Sequence, residues 1–405
     1  MNQVWDLTPI YQSFEDPAFG ADLNELKDKV AQMAAFVGTL PGIEPLQGLK
    51  EGIRLQEEVT TLAYKLGGYA SLCQAANTKD TQAGSQMGRI MALYSGMAAP
   101  SAAFREWAGK LPNLMELVEQ DETLRDYRFL FANMQENSSH LLPGLGEEIM
   151  AKMSISGSGA WSDLHTYITS TVPVFYRGQK LNLPAVRNLA YDPDPQVRKD
   201  ALEAELACYE RIEAPAAFAL NSIKLETLTD CQLRGYGSPL ERTLKQYHMS
   251  RETLDAMLSA MQQYMPKFWQ YLKCKAKALG HEKGLPWYDL FAPMGAASSK
   301  MTAEDARAYL VNIFTGFDRK LADMVAEGFD NEWIDFYPRD GKSGGAFCAG
   351  VQSLGQSRVL ANFDGAFTDI VTLAHELGHA FHNRCIQDQK PLNQDYSLPL
   401  AETAS

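Results

Sequence analysis

The residues best suited to chemistry lie close together, in the stretch VTLAHELGHAFHNR at 371–384. At about 100° of rotation per residue, His375, His379 and His382 fall within about 60° of one another on a helix, with Glu376 on the adjoining flank. Ile370, Leu373, Leu377, Ala380 and Phe381 point the other way, so the helix can bury its back and show the histidines to a cavity. His375, Glu376, two spacers and His379 form an H-E-x-x-H pattern. Ring nitrogens one turn apart can bind a zinc ion, and the intervening glutamate can take the proton of a metal-bound water. Average residue usage would produce this pattern by accident in about one chain of this length in a hundred. Three of the seven histidines on one stripe is also more than core packing requires.

A third ligand decides the kind of site. A further histidine six residues after His379 would stand at 385, which is Cys385, and the glycine expected at 382 is His382; the metzincin layout is therefore excluded. The acids downstream are Asp388, Asp395 and Glu402. The first two lie in a polar stretch that reads as loop. Glu402 lies in SLPLAETAS, where Ser397 can cap and Pro399 can start a helix, so its carboxylate is expected from a second rigid element facing the first. Two histidines and a glutamate leave the fourth position of a catalytic zinc for water.

Around these ligands the chain must supply a scaffold. Asp369 falls at the start of the metal helix, where an acid complements the helix dipole; a hydrogen bond orienting a histidine is the alternative. His382, one turn too far to ligate, is expected to line the cavity. GGAFCAG at 344–350 and SRVLANF at 357–363 are short strand candidates. Gly344, Gly345 and Ala346 either let a peptide backbone approach an exposed edge strand or simply make a turn. In the same region GKS at 341–343 lacks the earlier glycine of a phosphate loop, since Phe336 stands there. GKSGG lacks the strand-turn-helix context of a nucleophile elbow.

HELGHAFH followed by a glutamate in AETAS resembles the thimet oligopeptidase and oligoendopeptidase F family of zinc peptidases, more closely the oligoendopeptidase F branch. WDLTPIY near the start, RGYGSPLER at 234–242, LPWYDLFAP at 285–293, DFYPRDGKSGGAF at 335–347 and LANFDGAFTDIVTLAHELGH agree with it. The resemblance implies one zinc ion held by His375, His379 and Glu402, with Glu376 as general base in the hydrolysis of short, unstructured peptides. It implies a mainly α, zincin-like architecture, with helical lobes around a deep cleft and a small sheet beside the zinc helix. In that family the chain continues through helices carrying a histidine and tyrosines thought to steady the transition state, whereas this sequence stops at Ser405. The expectation is a fragment, weak or inactive alone, or one completed by a second polypeptide. The competing readings are a non-catalytic, zinc-containing peptide-binding scaffold and a metal hydrolase acting on other bonds.

The 405 residues, 45% of them hydrophobic, suffice for a large core. A net charge of −13 disfavours nucleic acid and anionic membranes as partners. No signal sequence opens the chain and no apolar run is long enough to span a bilayer, so a cytoplasmic protein is expected. The six cysteines show no paired spacing and read as reduced thiols. Composition and periodicity divide the chain into an N-terminal helical region at 1–110, with a helical hairpin at 21–75, a mixed helical and short-strand lobe at 111–190, and the zinc-binding catalytic domain at 191–405.

Overall fold

The structure is a computed structural model and describes residues 4–142, 144–294, 300–339, 341–403 and 405. The chain forms two compact units, one built from the stretch up to Ser139 together with Ser298–Ser405, the other from His140–Ala297. The first unit is therefore discontinuous in sequence. Both are mainly helical, and among the described residues no helix is long and apolar enough to cross a membrane.

The first unit opens with helices α1 (Pro17–Val37), α2 (Pro45–Ala76) and α3 (Thr81–Ser95). Leu23, Leu26 and Met33 of α1 and Leu55, Val59, Leu66 and Tyr69 of α2 are buried in one core, as their spacing on two helical faces requires. The link between α1 and α2 runs from Gly38 to Glu44. Pro45 already occupies the first helical turn, where its missing N–H costs nothing, and Glu44 caps by accepting from the backbone N–H groups of Leu46 and Gln47. Gly52 lets α2 approach a neighbouring helix closely, since a Cβ there would stand 2.1 Å from the Phe104 ring.

The second unit carries a two-stranded hairpin, β1 (Val174–Tyr176) with β2 (Gln179–Leu181), turning on Arg177 and Gly178, both at positive φ. Its strands are as short as Pro173 predicts. A buried charge cluster lies nearby in that unit: the Arg198 guanidinium donates to Asp289 at 2.6 and 2.9 Å, and the His281 Nε2 lies 2.6 Å from the other Asp289 oxygen. Asp289 follows His281 by eight residues, in a loop and a short 3-10 turn, so no helical spacing joins the pair.

Back in the first unit, a three-stranded sheet takes shape in the order β3 (Ile334–Asp335), β5 (Gln356–Leu360), β4 (Phe347–Val351). β3 runs parallel to β5, and β4 antiparallel, with Phe347 opposite Leu360 and Val351 opposite Gln356. Against β4 and β5 packs α4 (Phe367–Ile386), the helix bearing the histidines. A mainly α fold with a small sheet beside that helix is thus what the chain adopts.

The loop between β3 and β4 is held by a buried ion cluster. Asp335 is wholly buried and accepts from Arg339 at 2.6 and 2.7 Å and from the Lys342 ammonium at 2.7 Å. Lys342 also donates to the carbonyls of Asp335 and Tyr337, both at 3.0 Å. Arg339 reaches the Ala76 carbonyl at 2.9 Å, and Ser343 N–H the Ala75 carbonyl at 2.9 Å, so the loop is tied to the last turn of α2. Burial pushes the Lys342 pKa down, against the pull of Asp335. Removing one partner of such a cluster strands the others in a dry site. Asp335→Ala is expected to destabilise the protein by about 3–5 kcal/mol, read as a lowered urea midpoint. An unchanged midpoint would mean that the cluster contributes nothing to stability.

Candidate metal centre

α4 starts where Asp369 takes up backbone donors: its Oδ2 accepts from Asp364 N–H at 2.8 Å and Ala366 N–H at 3.1 Å. The carboxylate is thus spent on the helix start, and its hydrogen bonds run to the backbone and not to a histidine. Ile370, Leu373, Leu377 and Ala380 are buried and Phe381 packs beside them, against Trp333, Val359, Ala361 and Phe363. That apolar back fixes which way the other face looks.

On the opposite face the rings of His375 and His379 stand edge to face, centroids 4.7 Å apart. The Glu402 Oε2 lies 3.7 Å from the His375 Nε2, and one donor atom from each of His375, His379 and Glu402 falls within 4.8 Å of the others. Among the described residues no other group of three His, Cys, Asp or Glu converges in this way. Donors on a tetrahedral zinc, with bonds of 2.0–2.2 Å, stand about 3.3 Å apart, so shifts of about an ångström would close the three around an ion. The donor set fits such a metal.

Glu402 follows a helix that begins where Ser397 and Pro399 suggest, but that helix is brief. The helix before it, α5 (Leu398–Ala401), is a single turn; Ser397 makes no side-chain cap, and Glu402 is the residue that ends the turn. It is an exposed loop acid brought to the histidines by the path of the chain.

Glu376 sits beside this cluster with only 6% of its surface exposed. Burial raises its carboxyl pKa, His375 pulls it back, and Glu402 adds to the rise. The His379 pKa is depressed, first by burial and then by His375, which favours the neutral imidazole a metal needs. Burial also pushes the neighbouring Cys348 thiol up to about 12, so it stays protonated and is no nucleophile.

His382 does not join the ligands. Its ring packs on Tyr396, centroids 4.3 Å apart, and burial lowers its pKa. Gly344 and Gly345 form an exposed bend and Ala346 leads into β4; Gly345 has φ +79°, and Asn362 donates to the carbonyls of Ser343 and Gly345 at 2.9 and 2.8 Å. β4 is the edge of its sheet. One turn beyond His379 the ligand stripe continues in Asn383 and Gln387, which help line a cavity of about 680 Å³ together with Tyr64, Ile90, Val351 and Tyr396. The four-residue spacing 375, 379, 383 was visible in the sequence and could have flagged Asn383. Nothing marked Tyr396, an aromatic residue in a polar stretch.

Comparison with known proteins gives the family. Residues 188–405 match the model of peptidase family M3, and residues 112–172 that of oligopeptidase F. The chain belongs to peptidase family M3. Its M3 relatives include the group B oligopeptidase PepB of Streptococcus agalactiae, 23% identical across 99% of this chain and 67% of the relative. The oligopeptidase PepF of Bacillus subtilis is 23% identical across 99% and 61%. The chain thus spans about two thirds of the length of these relatives. Among solved structures, a Chlamydophila abortus protein described as a peptidase superposes with a TM-score of 0.77 at 20% identity, covering 99% of this chain and 68% of the other. Oligoendopeptidase F of Enterococcus faecium gives 0.55 at 19% identity, covering 78% and 66%. M3 oligoendopeptidases are metallopeptidases, and this chain is one by family.

A buried carboxyl with a raised pKa has a thermodynamic signature in the metal-free protein. Its folded-state pKa exceeds the unfolded one, so the favourable contribution is full below the unfolded value and is lost as pH rises through the folded value. Metal-free Glu376→Gln should therefore melt above the metal-free parent at pH 7.5, with the gap narrowing towards pH 4. Melting curves at the two pH values check this, and a gap independent of pH would show that Glu376 ionises without cost.

Proposed function

We propose that this chain is a zinc-dependent endopeptidase acting on short, unstructured oligopeptides. The observation that carries the reading is the convergence of His375, His379 and Glu402 within 4.8 Å beside a buried Glu376 on the same helix. His375, His379 and Glu402 hold the ion. Zinc bound there supplies a water of lowered pKa and a Lewis acid for the scissile carbonyl. Glu376 takes the proton of the attacking water on its carboxylate and later delivers it to the leaving amine, a role that a carboxyl pKa raised by burial suits.

The peptide class is supported by the surroundings of the ligands. The free side of β4 offers backbone donors and acceptors to an extended chain, and the exposed bend at Gly344 and Gly345 leaves room for a main chain to approach, since a Cβ on either would meet nothing within 4 Å. An unfolded peptide can add itself to such an edge; a folded protein, its backbone already paired, cannot.

Glu376→Gln is expected to retain stoichiometric zinc by elemental analysis while cleavage of a fluorescence-quenched peptide falls by about 10²- to 10⁴-fold. A chelator should abolish the parent's cleavage, and added zinc should restore it. Undiminished turnover in the glutamine variant would overturn the general-base assignment; chelator-resistant cleavage would overturn the metal mechanism.

A further inference from the structure

We propose that Tyr396 and Asn383 are positioning residues for the third metal-binding side chain: they fix the loop that carries Glu402 so that its carboxylate meets His375 and His379. The inference rests on the zinc reading above. The turn before Glu402 is not held by its own burial, since Leu398 is 61% and Leu400 53% exposed. Its hydrogen bonds are local, from Ala401 N–H to the Ser397 carbonyl, Glu402 N–H to the Leu398 carbonyl and the Thr403 hydroxyl to the Pro399 carbonyl.

The loop is secured just upstream. The Tyr396 ring lies on His382, 4.3 Å between centroids, and its hydroxyl donates to the Asn383 Oδ1 at 3.3 Å. The Asn383 amide nitrogen in turn donates to the Ser357 hydroxyl of β5 at 3.1 Å and lies 3.8 Å from the Cys348 sulfur of β4. Tyr396 is thus fastened to a node where the metal helix meets two strands. Gln394, donating to the carbonyls of Gln387 and Gln389 at 3.3 and 2.8 Å, closes the loop on the end of α4.

Glu402 follows Tyr396 by six positions, so at about 3.3–3.6 Å per extended residue it lies within about 20 Å of Tyr396 along the chain. With Tyr396 seated, only a short turn remains to be ordered when the metal binds, so the triad is largely assembled in advance.

Zinc affinity, measured by competition with a chromophoric chelator, tests this independently of turnover. Tyr396→Ala should weaken zinc binding about 10- to 100-fold, and Tyr396→Phe, which keeps the ring on His382, by less. Inserting two glycines between Tyr396 and Ser397 leaves every packed side chain in place but lengthens the tether; it should weaken zinc as Tyr396→Ala does, and it decides the question if the alanine variant melts early. In a Glu402→Ala background, Tyr396→Ala should change affinity by less than about twofold, because the side chain it positions is gone. Parental affinity in the insertion variant, or an undiminished effect of Tyr396→Ala in the Glu402→Ala background, overturns the inference while the zinc site stands. A parent that binds no zinc, or a Glu402→Ala variant that binds it as tightly as the parent, removes the zinc reading and the inference together.

Discussion

The rotation of one helix about its own axis decides whether this site exists. Ile370, Leu373 and Leu377 are almost wholly buried against the sheet and its flanking loops, and each contributes about 1.5–3 kcal/mol relative to exposure. Turning α4 by a single residue, about 100°, would pull these side chains from the core, putting Asp369, Thr372 and Glu376 in their place in one direction and the smaller Val371, Ala374 and Gly378 in the other. The apolar face therefore fixes where His375 and His379 point more firmly than any contact of the histidines themselves. Chemistry on one side of the helix is a by-product of packing on the other.

That arrangement has a local cost. Glu376 lies on the boundary between the two faces, buried enough that its charged form is disfavoured and close enough to His375 to be partly compensated. A glutamine would satisfy the fold better, as expected where stability is given up for function. The Asp335, Arg339 and Lys342 cluster differs. Its charges are matched by one another and by backbone carbonyls, and its effect is to moor the loop leading into the edge strand.

The sequence made some of this legible for definite physical reasons. The helix bearing the histidines could be read because amphipathic periodicity and the four-residue spacing of His375 and His379 are both local properties of consecutive residues. The short strands at 344–350 and 357–363 were legible as brief, largely apolar runs joined by a glycine-containing turn, although ordered pairing begins only at Phe347 and ends at Leu360. Glu402 could be named but its setting only in part: Ser397 and Pro399 do begin a helix, a single turn without a side-chain cap, whereas the packing of Tyr396 on His382 joins separate elements. The Asp289 partner of His281 and the bonds of Asn383 to Ser357 and Cys348 join separate elements, and no periodicity within one element reveals them.

Trp5 packs against Phe347 with ring centroids 6.2 Å apart, and the buried Arg358 donates to the Asp6 carbonyl at 2.8 Å. Leu360 and Val351 of the sheet share a core with Leu26 and Val59 of the first helices. During synthesis the opening helices must therefore wait, part of their apolar surface uncovered, for strands that begin at Phe347, 271 positions after α2 ends at Ala76 (347 − 76). Closing so long a loop slows the search for the native pairing and prolongs the interval in which the nascent chain can stick to others.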